Sequence, residues 1–143
     1  MATYEYSYPS ALESEERMLD DLQTLLDENS VVGRIKNHFM VVVSEAFTNA
    51  LVHANNLNPE RRIKVVISIN KTRLSADIHD QGRDGLEGIS SKKPPTSESE
   101  SGRGVNIIRH YADSVSFIQT RGGGLKVSIT IDREDEKITD KAK

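Results

Sequence analysis

The sequence predicts one α+β domain with a two-layer core and the element order βααββαββ. Three observations lead there. The chain has 143 residues, and at about 100 to 200 residues per domain that is a single domain. Two long stretches carry apolar residues at helical spacing. Two pairs of β-rich runs are each joined by a short polar connection, the pattern of antiparallel hairpins.

Taken in order, Tyr4, Tyr6 and Tyr8 alternate with Thr3, Glu5 and Ser7, as in a strand with one covered face, and Pro9 ends it, which suits a sheet edge. Ser10 and Glu13 stand at capping-box spacing, and Leu12, Leu19, Leu22 and Leu26 then recur at helical spacing through Asp27. A second helix is expected from Arg34 to Ala54, with Ile35, Phe39, Val42, Val43, Ala46, Ala50 and Leu51 as its apolar stripe and Asn55 to Pro59 as its stop. Ile63 to Ile69 and Leu74 to Asp80 make a hairpin across Asn70 to Arg73. Gln81 to Ser101 drops all periodicity and reads as a long exposed loop, a length that compact domains use for lids or inserts. A short helix with Val105, Ile107, Ile108 and Tyr111 opens near Gly102 to Gly104. Val115 to Thr120 and Leu125 to Ile131 form the last strand pair, around Arg121 to Gly124, and a polar tail is expected from Asp132 to Lys143.

Composition narrows the function classes. Charged residues are 29% and hydrophobic ones 36%, enough apolar content in periodic runs for a core. A net charge of −3 offers no broad attraction for nucleic acid or anionic membrane. The absence of cysteine excludes disulfides, thiolate metal sites and thiol nucleophiles. The start MATYEYSYPS lacks a basic and apolar leader, and no apolar run nears the roughly 18 residues of a membrane span, so a cytoplasmic location is expected.

Four groups of residues can carry chemistry. Glu45, Asn49 and His53 fall at i, i+4 and i+8 and would share one side of the second helix. A carboxylate such as Glu45 can accept a proton, and the Asn49 carbonyl oxygen is a hard donor suited to Mg²⁺. The same three are equally what a solvated helix face carries. Asp80, Gly82 and Gly85 follow a strand: the carboxylate can accept a hydrogen bond from an exocyclic amine, and glycines let backbone approach a flat ring, although Asp with Gly is also ordinary turn chemistry. Ser101, Gly102, Arg103 and Gly104 open a helix, where free N–H groups and the helix dipole favour an anion; a plain hinge has the same composition. Gly122, Gly123 and Gly124 fit a hairpin turn.

The order of these pieces carries a resemblance. VVSEAFTNALVHAN, ending at Asn55, resembles the N box of the GHKL ATPase superfamily, particularly of bacterial anti-sigma-factor serine kinases, and DIHDQGRDG and SGRGVNII resemble its two glycine boxes. The likeness spans about residues 3 to 131. It implies a Bergerat ATP-binding fold, a two-layer α/β sandwich with helices on one face of a mixed, mainly antiparallel sheet. The ATPase domain would occupy residues 1–131, with an ATP lid at about 81–104 and a tail at 132–143. It further implies ATP and Mg²⁺ as cofactors, with Asn49 as the metal ligand, Glu45 as the general base, Asp80 at the adenine amino group and Gly82 beside the base. Gly102, Arg103 and Gly104 would close over the phosphates, with His53, Gly85 and Gly124 completing the nucleotide site. The implied function is a serine kinase that phosphorylates an anti-anti-sigma (STAS-type) protein and sequesters a sigma factor, acting as a homodimer without direct nucleic-acid or membrane contact.

Two departures stand out. The usual Asp-x-Gly-x-Gly has Asp84 at its fifth position with the glycine displaced to Gly85, and the usual Gly-Thr near the last strand is Gly124 and Leu125. Two other functions remain open: a non-catalytic or weakly nucleotide-binding module for partner switching, and a free-standing ATPase or histidine-kinase catalytic domain. The charged first helix, with Glu13, Glu15, Glu16, Arg17, Asp20 and Asp21, is either a solvated face or a docking face, and Lys92 and Lys93 serve solubility or touch phosphate.

Overall fold

Alternating burial along five extended segments and apolar stripes along the helices give the chain two surfaces to hide, and they are hidden against each other. In the computed structural model, which describes residues 2–82 and 100–133 with backbone alone at residues 53 and 100–104, β1 (Ala2–Pro9) leads into α1 (Leu12–Glu28) and α2 (Gly33–Thr48). A π-helical turn (Asn49–Ala54) continues α2. There follow β2 (Arg62–Ile69), β3 (Arg73–His79), α3 (Glu100–Tyr111), β4 (Ser114–Gln119) and β5 (Leu125–Asp132). The strands form one sheet in the order β1-β2-β3-β5-β4, so β1 is an edge strand, as Pro9 led us to expect. All four pairings are antiparallel, and among the described residues the sheet has no parallel component.

The core lies between the sheet and the helices. Ile63, Val65, Ile67 and Ile69 of β2, Leu74, Ala76 and Ile78 of β3 and Leu125, Val127, Ile129 and Ile131 of β5 face inward. They meet Phe39, Val42, Val43, Ala46 and Phe47 of α2 and Met18, Leu22, Leu25 and Leu26 of α1. The whole apolar stripe expected for the second helix is buried, Ala50 and Leu51 included. Each large aliphatic chain so removed from water contributes about 1.5–3 kcal/mol. Tyr8 anchors α1 to the edge strand: its ring meets Phe47 edge-on at 5.6 Å, and its hydroxyl donates to Asp21 Oδ2 at 2.6 Å. Burial, and then that bond, raise the Tyr8 pKa well above the usual tyrosine value.

Four expectations are corrected. The capping box does not form: the residue before α1 is Ala11 and makes no side-chain cap, while Ser10 is fully buried and spends its hydroxyl on Arg61 O at 2.9 Å. Leu12 is 66% exposed, and Ser14 takes the first inward position, its hydroxyl on Pro9 O. The second helix is not α-helical to Ala54 but widens into the π-turn at Asn49, so α-helical spacing does not carry from Asn49 to His53. The tail does not begin at Asp132. That residue ends β5, and Arg133 is held by Thr72 O and Asn70 O on the neighbouring hairpin.

Candidate functional site

Helix geometry alone brings Glu45 and Asn49 together. They are one turn apart, with Asn49 N–H donating to Glu45 O and Ala46 O, and both residues are half-buried at the edge of the stripe that packs on the core. Asn49 is also the first residue of the π-turn. The wider turn closes with Asn55 N on Ala50 O at 2.9 Å and Leu57 N on Leu51 O at 2.9 Å. Asn56 and Leu57 then follow with positive φ, 54° and 55°. Left-handed backbone is routine for asparagine and strained for leucine, so this corner is held by its surroundings.

Asp80 stands one residue beyond β3, 9% exposed. Its Oδ1 accepts two backbone N–H groups, from Gly82 at 2.9 Å and Leu125 at 3.0 Å, and its own N–H donates to Leu125 O at 3.0 Å. Oδ2 takes part in neither of these side-chain bonds. Burial pushes the carboxyl up from its ordinary pKa, against the two backbone bonds, which pull it down. A buried carboxylate with one oxygen held by backbone donors can offer its second oxygen as an acceptor for an amine.

The glycines around it have distinct roles. A Cβ on Gly82 would lie 2.7 Å from Ala54 O, so the chain after Asp80 is pressed on the end of the π-turn where no side chain fits. A Cβ on Gly124 would collide with Asp80 O, and Gly122 and Gly123 adopt φ of 88° and 95° to make the turn that brings Gly124 there. Gly124 is thus more than a hairpin residue. Leu125 offers no hydroxyl, but Thr120 Oγ1 stands 3.0 Å from the place of a Gly124 Cβ and lines the same pocket.

Asn55, read from sequence only as part of a helix stop, is the residue that joins the two halves. It is fully buried; Nδ2 donates to Ser10 Oγ at 2.7 Å and Arg62 O at 3.3 Å, and Oδ1 accepts from Gln81 N at 2.9 Å. Three asparagines at positions 55, 56 and 58 look alike in the sequence, and a π-turn leaves no periodic signature to single one out.

An open pocket of about 620 Å³ lies at this end of the sheet, lined by Asp80, Gly82, Thr120 and Gly124 together with Lys64 and His79. Lys64 pairs across the strands with His79, and His79 with Lys126. Burial and then Lys64 hold the His79 pKa below its ordinary value. Glu45 and Asn49 do not line this pocket.

Of the other expected site residues, His53 lies on the π-turn, and Gly102, Arg103 and Gly104 lie in the first turns of α3, which packs on α2. Their helix begins at Glu100, earlier than expected. Gly85, with Asp84, Lys92, Lys93 and most of the expected lid, falls outside the described residues. Among the described residues no three His, Cys, Asp or Glu side chains converge to hold a metal. One amide oxygen and a nearby carboxylate fit the habits of Mg²⁺, which takes one or two protein ligands and fills its shell with water and substrate phosphates. The open pocket bordered by Asp80, Gly82 and Gly124 likewise has room for a flat base. No described helix is long and apolar enough to cross a membrane.

Comparison with known proteins gives this arrangement a context. The histidine kinase-like ATPase domain, as a family, matches the chain over residues 8–131. An anti-sigma F factor of Oceanobacillus iheyensis is 32% identical over 94 residues, 62% of this chain and 64% of that protein, and one of Pasteuria penetrans is 33% identical over 92 residues, 60% and 61%. The alignments thus span less than two thirds of these relatives. Among solved structures, that of the RsbU and RsbW domains of a Mycobacterium tuberculosis protein superposes with a TM-score of 0.65 at 14% identity, covering 91% of this chain and 32% of that one. The SiaB–SiaC complex of Pseudomonas aeruginosa contains a chain that matches with a TM-score of 0.59 at 16% identity, covering 90% and 89%. At these identities the structural likeness speaks for the fold.

Proposed function

The chain belongs to the family of histidine kinase-like ATPase domains, and from that premise we propose that it is a protein serine kinase of the anti-sigma-factor type. It uses Mg-ATP to phosphorylate an anti-anti-sigma partner of the STAS type, and it sequesters a sigma factor when that partner is modified. The relatives named anti-sigma F factor support the choice within the family. The observation that carries it is the joining of the helix bearing Glu45 and Asn49 to the Asp80 cradle, through Asn55 on Gln81 and Ala54 on Gly82.

In this reading Asp80 Oδ2 receives the adenine amino group while Oδ1 stays on its two backbone donors. Asn49 offers its side-chain oxygen to Mg²⁺, which when bound neutralises phosphate charge. Glu45 takes the proton from the acceptor serine hydroxyl, the one proton transfer the reaction asks of a side chain. Gly102, Arg103 and Gly104 close over the phosphates from the first turns of α3, whose N-terminal N–H groups favour an anion, and His53, Gly85 and Gly124 complete the nucleotide-binding set. The protein works as a homodimer in the cytoplasm.

The test is transfer itself. Purified protein with Mg-ATP and its cognate acceptor should place labelled phosphate on an acceptor serine, and Glu45→Ala should not. Nucleotide binding without transfer would contradict the kinase reading and favour the second one, a partner-switching module that holds nucleotide as a structural ligand. Asp84, where the family usually has glycine, is the feature that favours that alternative.

A further inference from the structure

The peptide unit that follows Asp80 is clamped on both edges. Its N–H, that of Gln81, donates to Asn55 Oδ1 at 2.9 Å, and its carbonyl, that of Asp80, is pressed by Gly124. The next N–H along, Gly82, is one of the two that hold Asp80 Oδ1, and Gly82 itself rests on Ala54, the neighbour of Asn55. A turn about ψ of Asp80 that breaks the Gln81 N–H bond would carry the following chain, Gly82 N included, away from the carboxylate. Asn55 therefore acts on Asp80 without touching it, and its other amide bonds, to Ser10 Oγ and Arg62 O, fix Asn55 to two further segments of the fold. The amide is fully buried with both of its polar atoms bonded, so it cannot turn without leaving one of them unpaired.

A carboxylate acceptor discriminates between purines only if it stays in place. A fixed Oδ2 accepts from a 6-amino group and opposes the lone pairs of a 6-oxo group. A carboxylate free to swing can retreat and let water mediate either one. We propose that Asn55 is a specificity-determining positioning residue, which through Gln81 holds the Asp80 carboxylate so that the site takes a 6-amino purine nucleotide over a 6-oxo one. The proposal rests on the reading of Asp80 as the base acceptor given above.

Binding of ATP and of inosine triphosphate, measured by calorimetry on the full chain with Mg²⁺, tests it. Wild type should prefer ATP by about tenfold or more, the consequence of losing one hydrogen bond to a charged group. Asn55→Ala should reduce that preference to about threefold or less, mainly by weakening ATP. Asn55→Asp keeps an oxygen facing Gln81 N but sets an acceptor against Arg62 O, so it should keep more of the preference than Asn55→Ala at a lower melting temperature. Ser10→Ala removes a partner of the amide without reaching Gln81, and it should lower the melting temperature while leaving the ATP preference intact; a merely structural Asn55 would behave like Ser10. Should Asn55→Ala fail to fold, Asn55→Ser keeps a polar group in the space but is too short to reach Gln81, and it carries the same expectation. A folded Asn55→Ala or Asn55→Ser protein with undiminished preference overturns the proposal. A wild type that binds ATP without preference over the inosine nucleotide overturns the reading of Asp80, and the proposal with it.

Discussion

Glu45 and Asn49 are placed by a single helical turn, whereas Asp80 is placed by Leu125, 45 residues further on, and through Gln81 by Asn55, which lies 26 residues before Gln81. The first pair would keep its relative geometry in any α-helix. The second exists only when the sheet, the π-turn and the glycine turn are all assembled. On the proposed reading, chemistry can therefore be removed from the helix half with little cost to the fold, whereas in the strand half the residues assigned to binding also carry stability.

Glu45→Ala breaks the helix half most sharply. Phosphoryl transfer should fall by roughly 100- to 10,000-fold, the usual contribution of a general base. Mg-ATP affinity should change by less than about threefold, because the lost interaction belongs to the transition state. Parallel transfer kinetics and calorimetry check this, and an equal loss in both would place Glu45 in binding.

Asp80→Asn tests the strand half. The amide oxygen can keep the Gly82 and Leu125 N–H groups, but an NH₂ now faces the incoming amine, so ATP affinity should fall by about 10- to 100-fold. Stability should move the other way. A carboxyl whose folded pKa is raised contributes stability that is complete below the unfolded value, about 3.9, and lost as pH rises through the folded value. Melting curves should therefore show the variant gaining on wild type between acid and neutral pH. A variant that instead loses ground over that range would contradict the raised pKa.

Gly82→Ala and Gly124→Ala probe the coupling directly. Each puts a Cβ into backbone, at Ala54 O or Asp80 O, and each should cost about 1–3 kcal/mol in denaturant unfolding while weakening ATP. The smallest effect is expected at Leu57→Gly. Removing left-handed strain from an exposed leucine gains roughly 1–2 kcal/mol, and the added freedom of glycine in the unfolded chain costs about 0.5–1. Unfolding should then show between no change and about 1.5 kcal/mol of stabilisation.

The same contrast explains what could be read from the residues. The buried stripe of α2 and the strand order of burial are periodic, and periodicity survives without tertiary information: Phe39, Val42, Val43, Ala46, Ala50 and Leu51 are all where their spacing puts them. The one-turn spacing of Glu45 and Asn49 was legible for that reason. The π-turn was not, because the stretch from Asn49 to Ala54 has the composition of an ordinary helix, and so the alignment of His53 with Asn49 was overstated. Ser10 at capping-box spacing was misleading, since a hydroxyl that can cap a helix can equally bond Arg61 O across the fold. Asp80 was recognisable as a residue type, but its cradle was not, because Asn55, Gly124 and Leu125 reach it only through long-range contacts.

On the proposed reading one nucleotide spans both halves. Backbone amide NMR of the ¹⁵N-labelled protein on titration with Mg-ATP tests it most directly. The largest shifts should fall at residues 45–55, at Gln81 and Gly82, and at Gly124 and Leu125, with little change at Lys71 and Arg73 at the far end of the sheet. Shifts confined to Lys64, His79 and Lys126, or none at saturating nucleotide, would contradict it.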